Sequence, residues 1–117
     1  YDIYVGKNNI QNDELTFSFA NGGDWWFHAK DIPGSHVVAQ HTGELPRQTL
    51  FEAALLASYY SRSRTGENVP VDYTLKRFVK KPAGAKPGMV IYTDQKTIYV
   101  TPDEQTVLKL LDNAKNS

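Results

Sequence analysis

Between Trp25 and Lys30 the side chains divide by parity: Trp25, Phe27 and Ala29 fall on one side of an extended segment, Trp26, His28 and Lys30 on the other. Successive strand side chains point to opposite faces, so this is a strand over 24–30. The first side reads as core. The second sets an indole, an imidazole and an ammonium side by side, a face that could stack on or form a salt bridge with a partner. Ile32-Pro33-Gly34-Ser35 follows with Pro second and Gly third, the chemistry of a type II turn, and Val37 to Gln40 is a second short strand. Tyr1 to Val5 also reads as a strand, stopped by Gly6 and the polar Lys7-Asn8-Asn9. Two periods compete over 12–21. Leu15 and Phe19 share a helical face behind an Asn12-Asp13-Glu14 start, whereas Leu15, Phe17 and Phe19 alternate as in a strand. The helix is preferred, with Asn21-Gly22-Gly23 as its stop.

His41-Thr42-Gly43 reads as loop, and the pattern then predicts a long helix from about Pro46 to Ser63, with Pro46 in its first turn. Ala53, Ala54, Ala57, Ser58 and Ser61 form a stripe of small side chains that lets this helix approach a sheet closely, so it is central and buried. Val69 to Val79 is extended, with Val71, Tyr73, Leu75 and Arg77 alternating against Asp72, Thr74, Lys76 and Phe78. After a Pro- and Gly-rich loop over 82–88, Met89–Thr93 and Thr97–Thr101 are spaced as a hairpin. Thr101-Pro102-Asp103-Glu104 has the form of a capping box with Thr101 at its N-cap. The last helix is expected to bury Val107, Leu108 and Leu111 and to fray from Asn113. Mixed strand and helix runs predict an α+β fold, a mixed or antiparallel sheet packed against a central helix with a C-terminal helix.

The 117 residues fit one domain over 1–117 with one core, and 40% hydrophobic against 22% charged residues is a globular balance. The chain starts at Tyr1 without an initiator methionine, which suggests a piece of a longer protein. No cysteine is present, which excludes disulfides and thiolate chemistry. No apolar run approaches ~20 residues, so no membrane insertion is expected. The formal net charge is zero, yet 62–96 holds eight basic residues against three acidic ones. A neutral chain so divided can present a basic face.

His28, His36 and His41 with Asp24 and Asp31 are the candidate metal ligands, but their spacing matches no ligand motif, and neither metal nor cofactor is expected. Ser35 and His36 are chain neighbours and would point apart in a strand, so they make no nucleophile–base pair. With no P-loop or nucleophile elbow either, an enzyme is not expected. Lys76-Arg77-Phe78-Val79-Lys80-Lys81 interleaves aromatic and basic residues, and Lys86 follows in a flexible loop, which suits phosphate contacts. Backbone N–H groups around Gly34-Ser35 could add an anion nest. The competing reading is a solvated edge strand whose lysines prevent sheet-to-sheet association. For Trp26 the favoured reading from the residues alone is a half-buried core indole.

Gly6-Lys7-Asn8-Asn9-Ile10-Gln11-Asn12-Asp13-Glu14-Leu15-Thr16, the stretch Asp24 to Val38, Val71-Asp72-Tyr73-Thr74 and the stretch Lys80 to Val90 resemble, in order and over nearly the whole chain, the NFACT-R domain. That is the C-terminal RNA-binding module of NFACT proteins, and the resemblance is nearest to the bacterial RqcH, or fibronectin-binding protein A, group. It implies a module of a ribosome-associated quality control factor that acts with tRNA and the large ribosomal subunit in the cytoplasm. Such factors promote C-terminal alanine tailing of stalled nascent chains. With RNA as partner, the basic face is expected to make contact through Lys76, Arg77, Lys80, Lys81 and Lys86, with a second surface near the turn from His28, Lys30, Ser35 and His36. The alternative that the resemblance carries is a fibronectin-binding module of a surface protein without signal peptide or anchor.

Overall fold

The computed structural model describes residues 2–40 and 43–115, with side chains to 112. Seven strands are formed: β1 (Asp2–Val5), β2 (Trp25–Ala29), β3 (Val37–Gln40), β4 (Val69–Leu75), β5 (Val79–Lys80), β6 (Ile91–Tyr92) and β7 (Lys96–Val100). Three α-helices join them: α1 (Asn9–Glu14), α2 (Arg47–Tyr59) and α3 (Glu104–Lys115). Five strands make one antiparallel sheet in the order β1-β3-β2-β4-β7, and β5 and β6 pair separately as a short ribbon. This is the expected α+β architecture, with an antiparallel sheet, a central helix and a C-terminal helix. Tyr1 and His41-Thr42 lie outside the described residues.

The small stripe acts as anticipated. Ala53, Ala54, Ala57 and Ser58 are fully buried, and α2 lies on the face that carries Phe27, Ala29 and Val71. Val107, Leu110 and Leu111 of α3 join this core, while Leu108, expected inside, is half exposed, because 107, 110 and 111 share one helical face and 108 does not.

The opposite face of the sheet is not open. Trp26 is completely buried, whereas Trp25 on the α2 side is only partly so. A second layer covers Trp26 and Val38: α1, the π-helical turn Leu15–Phe19 that continues it, and the β5–β6 ribbon, packing with Leu15, Phe17, Val79, Val90 and Tyr92. Burying one indole contributes on the order of 4 kcal/mol, at about 25 cal/mol per Å². The extended run over 69–79 is interrupted for this purpose. A 3-10 turn at Lys76–Phe78 lifts the chain off the sheet so that β5 can enter the layer. The expected hairpin is likewise two strands with different partners, β6 on β5 and β7 on β4.

Local signals are shifted in instructive ways. Helix α1 begins three residues before the expected Asn12 start, capped by the Asn8 side chain accepting from the Gln11 N–H, which places Asn12 inside the helix and against the sheet. Gly34 has no positive φ, so the turn is not type II; the left-handed residue is Asp31, at φ 56. Gly34 is instead needed by close approach, since a Cβ there would lie 3.0 Å from the Ser61 Cβ. Pro46 is the N-cap of α2 rather than within it, and the helix ends at Tyr59, where the chain turns to bridge Ser61 to Gly34. At α3 the cap is Asp103, whose carboxylate accepts from Gln105 N–H and Thr106 O–H, while the Thr101 hydroxyl accepts from Asn68 N–H. The fray expected from Asn113 does not begin before Lys115.

Gly6 is where β1 meets α1. A Cβ there would stand 2.9 Å from the Asn12 backbone and closer still to its side chain. Gly6→Ala is therefore expected to cost about 1–3 kcal/mol, read as a lower urea midpoint at unchanged slope; an unaltered midpoint would show that α1 can move aside.

Candidate nucleic-acid interface

The histidines expected at a contact surface are built into the interior. His36 is 1% exposed. Its Nε2–H donates to the Gly88 carbonyl at 3.1 Å, and its Nδ1 accepts from the Thr16 hydroxyl at 2.7 Å. The same hydroxyl accepts from Trp26 Nε1–H at 3.2 Å, and the His36 backbone N–H donates to Asn12 Oδ1 at 3.0 Å. Each ring nitrogen thus has a role that suits the neutral imidazole. His28 stacks flat on Trp26, with centroids 5.7 Å apart, and stands edge-on to His36; its Nδ1–H donates to the Ala29 carbonyl. Burial lowers the pKa of both, that of His36 to about 4 with the neighbouring His28 as second cause. Ser35 is buried too, and its N–H is already given to the Tyr60 carbonyl at 2.9 Å, which closes the expected anion nest. Lys30 reaches the carboxylate of Asp72 at 3.7 Å. So His36 and Ser35 are structural, His28 is partly covered at the edge of a cleft, and Lys30 keeps a partly exposed ammonium.

Asp72, on the strand face opposite Val71 and Tyr73, is 1% exposed. It accepts from Tyr92 O–H at 2.7 Å and Thr97 O–H at 2.6 Å, besides facing Lys30. Burial, with the hydrogen bond to Asp72 second, pushes the Tyr92 phenol well above its ordinary range. The available signal was a lone carboxylate mid-strand, opposite His28 in register.

The basic residues of 76–86 divide. Lys81 is committed: its ammonium holds both oxygens of Asp13, at 3.0 and 2.9 Å, and Gly88 N–H donates to the same carboxylate. Lys81 accordingly keeps Asp13 below the usual carboxylate range. Lys76 lies over the Phe17 ring at 5.8 Å, partly covered. Arg77 is exposed, with Nε–H on the Gly22 carbonyl, and Lys80 and Lys86 are exposed. None of Arg77, Lys80 or Lys86 forms an ion pair among the described residues.

A further group of cations lies apart from the residues expected at the interface. Lys7, Arg62 and Arg64 line a cleft of about 500 Å³ between the start of α1 and the end of α2. Arg64 sits over the Tyr59 ring at 4.1 Å and Lys7 over the Tyr60 ring at 5.4 Å. A smaller cleft of about 360 Å³, lined by His28, Asp31, Met89 and Tyr92, adjoins it at Pro33. Among the described residues no group of three or more His, Asp or Glu could hold a metal ion, and no helix is long and apolar enough to cross a membrane; His41, one of the three candidate histidines, is outside them.

The layer opposite α2 thus leaves Arg77, Lys80 and Lys86 exposed, while Asp72 beneath it is buried. The chain belongs to the NFACT protein RNA-binding domain family, whose profile matches residues 1–94. It is 56% identical over 108 residues to the Rqc2 homolog RqcH of Bacillus subtilis, and 50% identical over 105 residues to that of Streptococcus suis, covering 92% and 90% of this chain. It spans only 19% of the length of either relative. A solved structure of the C-terminal part of the fibronectin/fibrinogen-binding protein from Streptococcus suis is 50% identical and superposes with a TM-score of 0.88, over 92% of this chain and 44% of that one.

The buried His36 gives the domain an acid-sensitive fold. Its pKa is near 4 when folded against an ordinary 6.5. Above pH 6.5 neither state holds the extra proton, so the stability is fully present. As pH falls, the unfolded chain binds a proton that the native one refuses, and stability is lost. Between pH 7 and pH 5 this amounts to about 2 kcal/mol, and His28, shifted the same way, adds to it. Urea midpoints across that interval should fall with pH, and fall less in His36→Asn; a flat or rising trend would contradict a neutral His36.

Proposed function

We propose that this chain is the RNA-contacting module of a ribosome-associated quality control factor. The observation that carries the proposal is the set of exposed, unpaired cations Arg77, Lys80 and Lys86 on a rigid outer layer, in a chain of this family. Such cations meet phosphates without reading bases, by releasing counterions. Lys76 can lend charge from its seat on Phe17, whereas Lys81 serves by holding the loop. Ser35 and His36 support this surface from within, and Lys30, partly exposed beside the partly covered His28, can add its charge at the edge. The partners are tRNA and rRNA of the large subunit, met in the cytoplasm. The module acts by binding and carries out no chemistry of its own; appending C-terminal alanine to stalled nascent chains belongs to the longer protein and its tRNA substrates.

The name of the Streptococcus suis relative raises fibronectin as a second partner. Capture of the 117-residue chain on immobilised fibronectin that excess tRNA fails to displace would place that partner on another surface.

Titrating tRNA across salt tests the main reading. Log affinity should fall linearly with log salt, and Lys80→Glu with Lys86→Glu should weaken binding by tenfold or more while lowering the slope by about one per lost contact. Unchanged tRNA affinity in that folded variant would remove these lysines from the interface.

A further inference from the structure

We propose that the cleft between α1 and the end of α2 is a phosphate-binding subsite, and that its occupant is a backbone phosphate of RNA; this rests on the RNA-binding reading above. Three cations line the cleft, Lys7, Arg62 and Arg64, and no aspartate or glutamate does. None of the three forms an ion pair among the described residues. Two of them are held in place by something other than an anion, since Tyr59 and Tyr60 offer ring faces to Arg64 and Lys7. Arginine so held loses little freedom when it meets a phosphate, which it can grip with two parallel N–H bonds.

The second observation is Asn12. It lines the cleft yet is only 4% exposed. Its Oδ1 is occupied by the His36 backbone N–H, which fixes the amide with Nδ2 as the remaining donor. Nδ2 donates to no group among the described residues, and no buried side-chain nitrogen or oxygen of these lacks a partner. The NH2 is therefore not shut off from solvent, and Asn12 is among the residues that line the cleft. A buried donor with a fixed orientation, lining a space that unpaired cations also line, has the complement of an anion.

The walls are rigid. Gly6 N–H donates to the His36 carbonyl, Ser35 N–H to Tyr60 and Arg62 N–H to Pro33, all within 3.1 Å. The volume, about 500 Å³, suits one nucleotide unit. A strand could run on from the cleft, because its Asn9 lies against Gly88, at the end of the loop that carries Lys86. That continuity favours a polymer over a free anion.

The test is nuclear magnetic resonance of the nitrogen-labelled chain, titrated with inorganic phosphate and separately with a short single-stranded RNA. The Asn12 side-chain amide peaks should move with both, further with RNA. Arg62→Gln with Arg64→Gln should lower RNA affinity tenfold or more and abolish the Asn12 shift. Asn12→Asp, which keeps the acceptor for His36 and replaces the free donor by a repelling oxygen, should do the same; the arginine pair keeps the test valid where that buried carboxylate unfolds the chain. If RNA moves only peaks around Arg77, Lys80 and Lys86 and the arginine pair binds normally, the subsite is refuted and RNA binding stands. If phosphate moves the Asn12 peaks and RNA binds nowhere, the cleft stands as an anion site and its RNA occupant is refuted. Asn12 peaks that stay still with both probes refute the subsite.

Discussion

The bond between the Thr16 hydroxyl and His36 Nδ1 joins the two layers of this protein, and most of what lies around it depends on it. Thr16 comes from the π-helical turn and His36 from the entrance to β3. Trp26 of β2 gives its N–H to the same hydroxyl, and Gly88 of the outer loop takes the remaining His36 proton. Four remote segments thus share one buried chain of donors and acceptors. Such a network is costly when any member is missing, because an unpaired buried group loses water and gains nothing. Complete, it admits one arrangement of the layers. Apolar contact between Trp26, Val38 and Val79 would tolerate a sliding outer layer, but this chain of bonds does not.

Register in the interior sets geometry at the surface. The Asn12 side chain, pinned by His36, fixes α1, and Gly6 lets α1 come close enough for that bond. Asp13, one residue on, gathers Lys81 and the Gly88 N–H and so anchors the far end of the 82–88 loop. The cations near this junction stand on backbone that the buried network has already ordered. Binding a polyanion then costs little further backbone entropy beyond side-chain ordering.

The sequence pattern revealed the strands better than what lies on them. Alternation assigned the faces of β2 correctly, and the alanine stripe identified the buried helix. Neither could show that the face with Trp26 and His28 meets a second layer, because that layer is assembled from 9–20 and 79–92, segments far apart in the chain and each too short to display its own period. Polar residues made the same error look reasonable. His36, Asp72, Thr74 and Thr16 are buried because partners satisfy them, and those partners are tertiary. The hairpin failed for a related reason: Met89–Thr93 and Thr97–Thr101 have hairpin spacing, but a left-handed Asp94 turns the chain from the ribbon back to the sheet edge. Capping boxes and type II turns are local readings, and each was displaced once tertiary packing offered the same groups a nearer partner.

Net charge zero is no obstacle to binding RNA, because two of the acids nearest the 82–88 loop and the β5–β6 ribbon are already engaged. Asp13 is held by Lys81 and by a backbone N–H. Asp72 is sunk beneath Tyr92 and Thr97. What an approaching phosphate meets within a Debye length of about 8 Å is then set by the groups left free. The two adjoining clefts show the consequence. The smaller is lined by Asp31 and by imidazoles that burial holds neutral, so it offers an anion no cation. The larger has three cations, no carboxylate and one oriented amide donor. Pro33 is common to both, so a strand crossing it passes from a neutral or negative wall to a positive one. A polyanion bound there would be oriented by that gradient rather than by the chain's overall charge.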